Sequence, residues 1–451
     1  MVERLAGRRT GISLGRFRRL AFDWYLPAYI HLWLFEGVVR KWVFPEGSQL
    51  LYIFRDGVLL PVGIVLLLIR LRNRPRQITL PRTGPGALGM VLIITWLASL
   101  MTWAITSSLV NGPSLSTAVL GIRSYLVPAS LPVIVYCIRT TQTRTLADKA
   151  ILWWVVPTSL IALAQAVSPQ QSFVNRVGAD AYQDLLTSGD TVRATGTFTA
   201  PAGLAVYVPL ALAVLLSRSR TWNAKAIPDV ALFSLLLTAL LIVVAIGGSR
   251  FLLIGIVVVL VAYLFLCWDT DLWPWKGYLV AGILVTLVIA SSYLSEVISN
   301  FEERISEANS NEDSGARILD STNYFMQTAS TTLLGDGPGT HSTAAVQASG
   351  GLGWVENDLP RTTQELGAFG VVINLTRQSL ILAFLALGLL RRDVLVVLLS
   401  AALLPSLLSG QVFAQPSVQG FGAIGLSFLV LAVSDHPAAR RQSLLPLGCE
   451  V

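Results

Sequence analysis

The chain has 451 residues, 53% of them hydrophobic and only 13% charged, and its mean hydropathy is +0.64. A soluble globular chain carries about a quarter charged residues, so this composition cannot cover a water-facing surface and predicts an integral membrane protein. The formal net charge of +7 does not point to nucleic acid, because the basic residues alternate with long apolar runs, as loop charges do in a multi-pass membrane protein.

A hydrocarbon core about 30 Å thick takes about 20 apolar residues per helix. The apolar runs predict an all-α chain with about twelve spans: 25–43, 50–70, 86–107, 117–138, 148–167, 198–217, 228–247, 250–268, 274–294, 366–390, 393–409 and 418–434. Residues 1–20 form a basic tail with six arginines and no small-residue cleavage site, and so read as cytoplasmic and not as a removed signal peptide. The first nine spans lie in 21–294, with a polar external connection at 168–197. Residues 295–365 form a large external loop, a length that is usually functional or disordered. It opens on one or two amphipathic helices (ISNFEERISEANSNEDSGARILDSTNYFMQTAS), turns through GDGPGT and ends on GGLGWVENDLPRTTQELG. Spans ten to twelve fill 366–434, and 435–451 is a second cytoplasmic tail.

Sidedness supports this threading. From a cytoplasmic start, the tail arginines fall inside together with Arg70, Arg72, Arg74, Arg76, Arg82, Arg139, Arg144, Lys149, Arg218, Arg220, Lys225, Lys276, Arg391, Arg392, Arg440 and Arg441, 22 of the 33 basic residues in all. This is the positive-inside pattern, with both termini cytoplasmic.

Eleven basic residues remain on the disfavoured side: Arg40, Lys41, Arg55, Arg123, Arg176, Arg193, Arg250, Arg304, Arg317, Arg361 and Arg377. Arg123 lies six residues into its predicted span, about 9 Å at 1.5 Å per residue. A charge at such depth costs a few kcal/mol and is kept where it meets a partner or a polar cavity. Glu36–Arg40 and Arg55–Asp56 are natural local pairs, and Arg40, Lys41 and Arg55 stay open between structural pairing and function. Arg123, Arg193 and Arg250 have no adjacent acid and point to an anionic ligand. Arg377, twelve residues into span ten, either pairs with an acid elsewhere in the bundle or reaches the site from below. Guanidinium forks suit phosphate, and a lipid-linked pyrophosphate places its phosphates at the interface. A transported anion fits nearly as well.

The external loop holds a second group: Glu356, Asn357, Asp358, Arg361 and Glu365. Glu356 and Arg361 are spaced to converge above span ten, and a partly desolvated carboxylate there can act as general base for a sugar hydroxyl. Glu365, in an ELG element that opens the span, reads as a helix-start carboxylate. Three scattered cysteines (Cys137, Cys267, Cys449) and three scattered histidines (His31, His341, His436) give no metal spacing and no disulfide framework. The loop acids Glu302, Glu303, Glu307, Glu312 and Asp313 read as solvated helix faces, and GxxxxGK[ST] is absent. No metal or cofactor is expected.

Four segments resemble, in order, the recurring blocks of the O-antigen ligase and O-antigen polymerase superfamily of bacterial polysaccharide enzymes: RATGTFTAPAGLAVYVPLAL from Arg193, AIGGSRFLLIGIVVV with Ser249 and Arg250, LLGDGPGT, and VENDLPRTTQELGAFG. The likeness covers about residues 117–390. The N-terminal EGVVRKWVFP and LYIFRDGVLL are similar to exopolysaccharide members. Ligases of the family carry a His-Asn pair nine residues before the Glu of the ELG element; here that position is Glu356, followed by Asn357, with His341 fifteen residues earlier. The base role therefore passes to Glu356 with His341 in reserve, and a polymerase is favoured over a lipopolysaccharide ligase.

The resemblance implies a GT-C-like membrane fold in the bacterial inner membrane. It also implies metal-independent, inverting glycosyl transfer at the external face, from an undecaprenyl-pyrophosphate-linked oligosaccharide to an acceptor glycan, alongside other polysaccharide assembly or export proteins. Arg193 and Arg250 are then expected to stabilise the departing pyrophosphate. Arg123, Arg317, Arg361, Arg55, Arg40, Asn357 and His341 are expected to line the binding site. A twelve-span transporter or lipid-linked glycan flippase is the rival. It would place its site near the midplane between related halves, and Arg377 at mid-span is the feature that favours it. A scaffold for a polysaccharide assembly complex, its arginines merely pairing acids, is a third reading.

Overall fold

The computed structural model describes residues 14–45, 48–73, 85–111, 114–176, 187–188, 191–223, 226–247, 249–266, 333–342, 355, 358–408 and 416–434. The predicted ninth span (274–294), Arg317, Glu356, Asn357, most of the large loop and both extreme tails lie outside the described residues.

Within them the chain is helical, apart from two two-residue strands, β1 (Thr187–Ser188) and β2 (Thr191–Val192), paired antiparallel. The helices are α1 (Leu14–Val38), α2 (Ser48–Asn73), α3 (Pro85–Asn111), α4 (Leu115–Ile138), α5 (Thr143–Trp153), α6 (Val155–Val167), α7 (Pro201–Ser219), α8 (Ile227–Ile246), α9 (Arg250–Leu266), α10 (Asp358–Leu366), α11 (Ala368–Arg391), α12 (Val394–Leu408) and α13 (Pro416–Ser434). A π-helical turn (Val39–Val43) extends α1, and a 3-10 turn covers Phe173–Asn175.

Local chemistry sets most boundaries. The predicted fifth span is two helices, because Pro157 lacks an N–H and its ring crowds the carbonyl four residues earlier, at Trp153, where α5 stops. Ser114 caps α4 by accepting from the Thr117 N–H (3.2 Å), and Ser249 accepts from the Leu252 N–H (3.4 Å) at the start of α9. The α11–α12 hairpin turns through Arg392 at φ 52°, after which Asp393 accepts from the Val396 N–H (3.2 Å).

Among the described residues five segments are long and apolar enough to cross a membrane: Leu115–Ile138, Thr143–Val167, Pro201–Ser219, Ile227–Ile246 and Ala368–Arg391. At 24 residues α4 is about 36 Å long, enough for a 30 Å core. Helix α7 is the central post, with 83% of its apolar window buried; it packs on α5, α8, α9, α12 and α13. By contrast α8 is the most apolar of the five yet only 33% of its window is buried. An apolar face left outward on that scale is what a lipid-contacting helix presents.

The main core runs through α1, α2, α4–α9 and α11–α13. A second, smaller core of Leu100, Ala104, Tyr125, Leu366 and Ile373 joins α3, α4, α10 and α11. It lies at the bundle end shared by the π-turn, the first turns of α2 and α4, and residues 168–176, 191–200, 333–342 and 358–367. This loop end carries the buried charges described next. The opposite end holds an Asp148–Arg218 ion pair (3.3 Å) and a Thr140–Asp23 hydrogen bond.

Candidate functional site

The π-turn starts the site. Its i→i+5 bond, Phe44 N–H to Val39 O (2.8 Å), widens the last turn of α1, and two consecutive cations, Arg40 and Lys41, are buried in different directions. Single π-turns of this kind are rare and recur at functional sites. Arg40 turns back to Glu36 (3.2 Å), which also meets Arg55 of α2 (2.9 Å). Arg55 grips Asp56 through two nitrogens (2.9 and 3.1 Å). Asp56 further accepts from Tyr29 OH (2.9 Å) and pairs with Arg123 of α4. Three guanidinium groups thus share two carboxylates, nearly out of contact with water: Arg55 and Asp56 are each 2% exposed.

One residue further along α4 a second cluster begins. Tyr125 OH donates to Glu365 (2.7 Å), Arg361 pairs with Glu365 (3.4 Å) and donates to Ser124 Oγ (3.4 Å), and Arg377 pairs with Asp358 (3.4 Å) while its guanidinium faces the Tyr125 ring. Burial works most strongly on the Arg361 charge and against it, but Glu365, Tyr125 and Asp358 together more than offset it, holding the guanidinium's pKa above its ordinary value. Here two arginines face two acids.

The GDGPGT turn closes over this cluster. The Asp336 and Gly337 N–H groups donate to the Gln364 and Glu365 carbonyls (2.7 and 3.0 Å), while Asn111 and Ser107 donate to the Gly335 and Leu334 carbonyls (2.6 and 2.7 Å). Gly339 (φ 88°) lies against Gly121 of α4 so closely that a Cβ on either would overlap the other strand of backbone. The docked turn presents His341, whose backbone N–H donates to Glu365 (3.2 Å) and whose Nε2 lies 2.9 Å from Asp336 Oδ2. An imidazole held by a carboxylate in this way has a fixed ring orientation.

The segment after β2 is clamped from two sides. Gln165 of α6 accepts from the Thr195 and Gly196 N–H groups (2.9 and 2.8 Å), and Lys41 Nζ donates to Thr195 Oγ1 (3.0 Å) and the Gly196 carbonyl (2.6 Å). Gly37 meets the Thr197 carbonyl where any Cβ would overlap. Half-buried Arg193 lies two residues before this clamp.

The structure therefore brings Arg40, Arg55, Arg123, Arg361 and His341 to one end of the bundle. Arg250 is the first residue of α9. Both local pairs expected from the sequence form, but Arg123 also has an acid, Asp56, supplied from another helix 67 residues earlier. Arg377 likewise finds its partner in Asp358, on α10. Glu365 does not open the spanning helix: it ends α10, Gly367 (φ 59°) breaks the chain, and α11 starts at Ala368, so Glu365 serves as the buried acceptor for Tyr125 and His341. Sequence reasoning passed over Tyr125, Gln165 and Asp336, and it had Asp56 only as the local partner of Arg55. Asp56 carried a signal, as an acid inside an apolar run.

Fold and site together define an α-helical membrane protein with a buried, arginine-rich ionic centre at one end of its bundle. Comparison of the chain with protein-family models, curated proteins and solved structures finds no match.

Proposed function

We propose that the protein is a membrane glycosyltransferase of the O-antigen ligase and polymerase type, with about twelve spans and its loop end on the external face of a bacterial inner membrane. It transfers glycan from an undecaprenyl-pyrophosphate-linked donor to a sugar hydroxyl of an acceptor chain. The observation that carries the reading is the gathering of Arg40, Arg55 and Arg123 around Glu36 and Asp56 at the loop end, a concentration of guanidinium groups of the kind that suits a phosphate-bearing ligand. A pyrophosphate whose tail lies in the bilayer would bring its charge to this end. The same positive field favours charge growing on the departing pyrophosphate, a stabilisation of the oxyanion-hole kind.

The chemistry is one displacement. The acceptor oxygen bonds to the anomeric carbon as the bond to the pyrophosphate oxygen breaks, the configuration inverts, and the acceptor proton passes to a base. Glu356 takes that role on the motif argument, and the Asp336-held imidazole of His341 is the second candidate. The pairing of Arg377 with Asp358 gives that mid-span charge a partner of its own, so the rival transport reading loses the feature that favoured it.

The test is reconstitution of the full chain in liposomes with a polyprenyl-pyrophosphate-linked repeat unit. Chain growth is expected for the wild type, near-abolished growth for Arg123→Met, and loss with Glu356→Gln or His341→Gln according to which is the base. Absence of chain growth together with donor translocation across the bilayer would replace this reading by the flippase.

A further inference from the structure

We propose that Arg391 and Arg392, at the turn between α11 and α12, bind the head group of an anionic phospholipid whose acyl chains lie along the outward face of α11. The site is separate from the arginine centre. Helix α11 starts at the loop end and its 24 residues span about 36 Å, which puts the turn at the opposite end of the bundle. The inference is independent of the transferase reading.

Arg392 is strained where it stands. Its φ is 52°, and every other described residue with positive φ is a glycine. The turn ends α11 on a left-handed residue: the Arg392 N–H donates to the Leu389 carbonyl (3.2 Å) and the Asp393 N–H to the Gly388 carbonyl (2.9 Å). Glycine fills such a position with no Cβ to crowd the backbone, so the turn itself gives no reason for an arginine. Ion pairing gives none either, because both side chains are exposed and no carboxylate among the described residues pairs with them. Asp393, the nearest acid in the chain, serves α12 instead, its Oδ1 accepting from the Val396 N–H (3.2 Å). Sidedness asks for basic residues at this end but not for one in a strained conformation. A backbone outlier kept at such cost points to a task for its side chain.

Helix α11 indicates the partner. Its apolar window is 22% buried, the smallest share among the five membrane-crossing segments. Leu375, Leu382 and Leu389 are exposed and, seven residues apart, line one stripe that runs down to the arginines. Leu390, next to them, is 84% exposed. An outward apolar stripe that ends in two cations matches one phospholipid: acyl chains lie on the leucines, and the phosphate diester sits at the membrane surface within reach of the guanidinium forks. A head group of net negative charge adds an attraction that a zwitterionic one lacks.

The experiment uses full-length protein in phosphatidylcholine nanodiscs, with and without phosphatidylglycerol, and follows thermal melting. Wild type should melt about 2 °C or more higher with phosphatidylglycerol present, since a ligand that binds the folded state raises its stability. Arg391→Gln/Arg392→Gln should lose that rise. Arg392→Gly separates backbone from side chain by sign. In phosphatidylcholine it should melt at or above wild type, because strain is relieved, yet its rise with phosphatidylglycerol should be smaller, because a guanidinium is gone. Arg220→Gln, which removes an exposed arginine next to the end of α7, should keep the full rise. No rise in wild type, or a full rise in the double variant, overturns the assignment. Equal losses from Arg392→Gly and Arg220→Gln overturn it too, since the response is then one of diffuse surface charge. Should the double variant fail to fold, that last comparison decides: a smaller rise for Arg392→Gly alone supports the site.

Discussion

Removing different members of the arginine centre should have unequal consequences, because Asp56 is shared. Taking out Arg123 leaves Asp56 held by Arg55 and Tyr29; taking out Asp56 removes the common acceptor of Arg55, Arg123 and Tyr29. Breaking a buried pair so that charge is left uncompensated costs about 3–5 kcal/mol. Asp56→Asn is therefore expected to lower the melting temperature in detergent sharply, and Arg123→Met to change it little while abolishing transfer. A larger loss of stability for Arg123→Met than for Asp56→Asn would refute the account of Asp56 as the shared acceptor. The residue scale also shows what a sequence can disclose. Glu36–Arg40 and Arg55–Asp56 were legible because helical spacing or adjacency brings them together. Arg123–Asp56 was not, since α2 and α4 are apolar on most faces and their rotation about their own axes is fixed by packing alone.

At the scale of elements, α4 joins the two charge clusters. Arg123 serves one, Ser124 and Tyr125 serve the other, and Gly121, one helical turn before Tyr125, receives the GDGPGT turn. The glycine-rich run announces a tight turn in the sequence, and three of its glycines do adopt positive φ: Gly335, Gly337 and Gly339. That the turn docks on a glycine in a helix more than 200 residues earlier has no local signature. Gly121→Ala would put a methyl group into the Pro338–Gly339 backbone, an overpacking cost of about 1–3 kcal/mol. The expected result is faster hydrogen exchange across 333–342, lower transfer activity, and unchanged helical content. Exchange that matches wild type in the turn would mean that the turn does not need α4 to hold it. In the same way, Pro157→Ala should restore an unbroken helix through Trp154, read as slower exchange there, because the missing N–H and the ring clash are what separate α5 from α6.

For the whole molecule, the apolar runs made the helices readable; the predicted first and eleventh spans, the two with the weakest signal, overlap α1 and α12. What they could not supply is which end faces which compartment, and the proposed function requires the loop end to be external. The distribution of basic residues predicts that orientation. Phe173, 56% exposed, lies at the loop end beside Trp42, and exposed Gln142 lies at the other, next to Thr140. In a background with Cys137, Cys267 and Cys449 replaced by alanine, Phe173→Cys should react with a membrane-impermeant maleimide on intact spheroplasts. Gln142→Cys should react only after permeabilisation. The reversed pattern would put the arginine centre at the cytoplasmic face, where an externally presented acceptor chain cannot meet it. The transferase proposal would then fail even if pyrophosphate still bound.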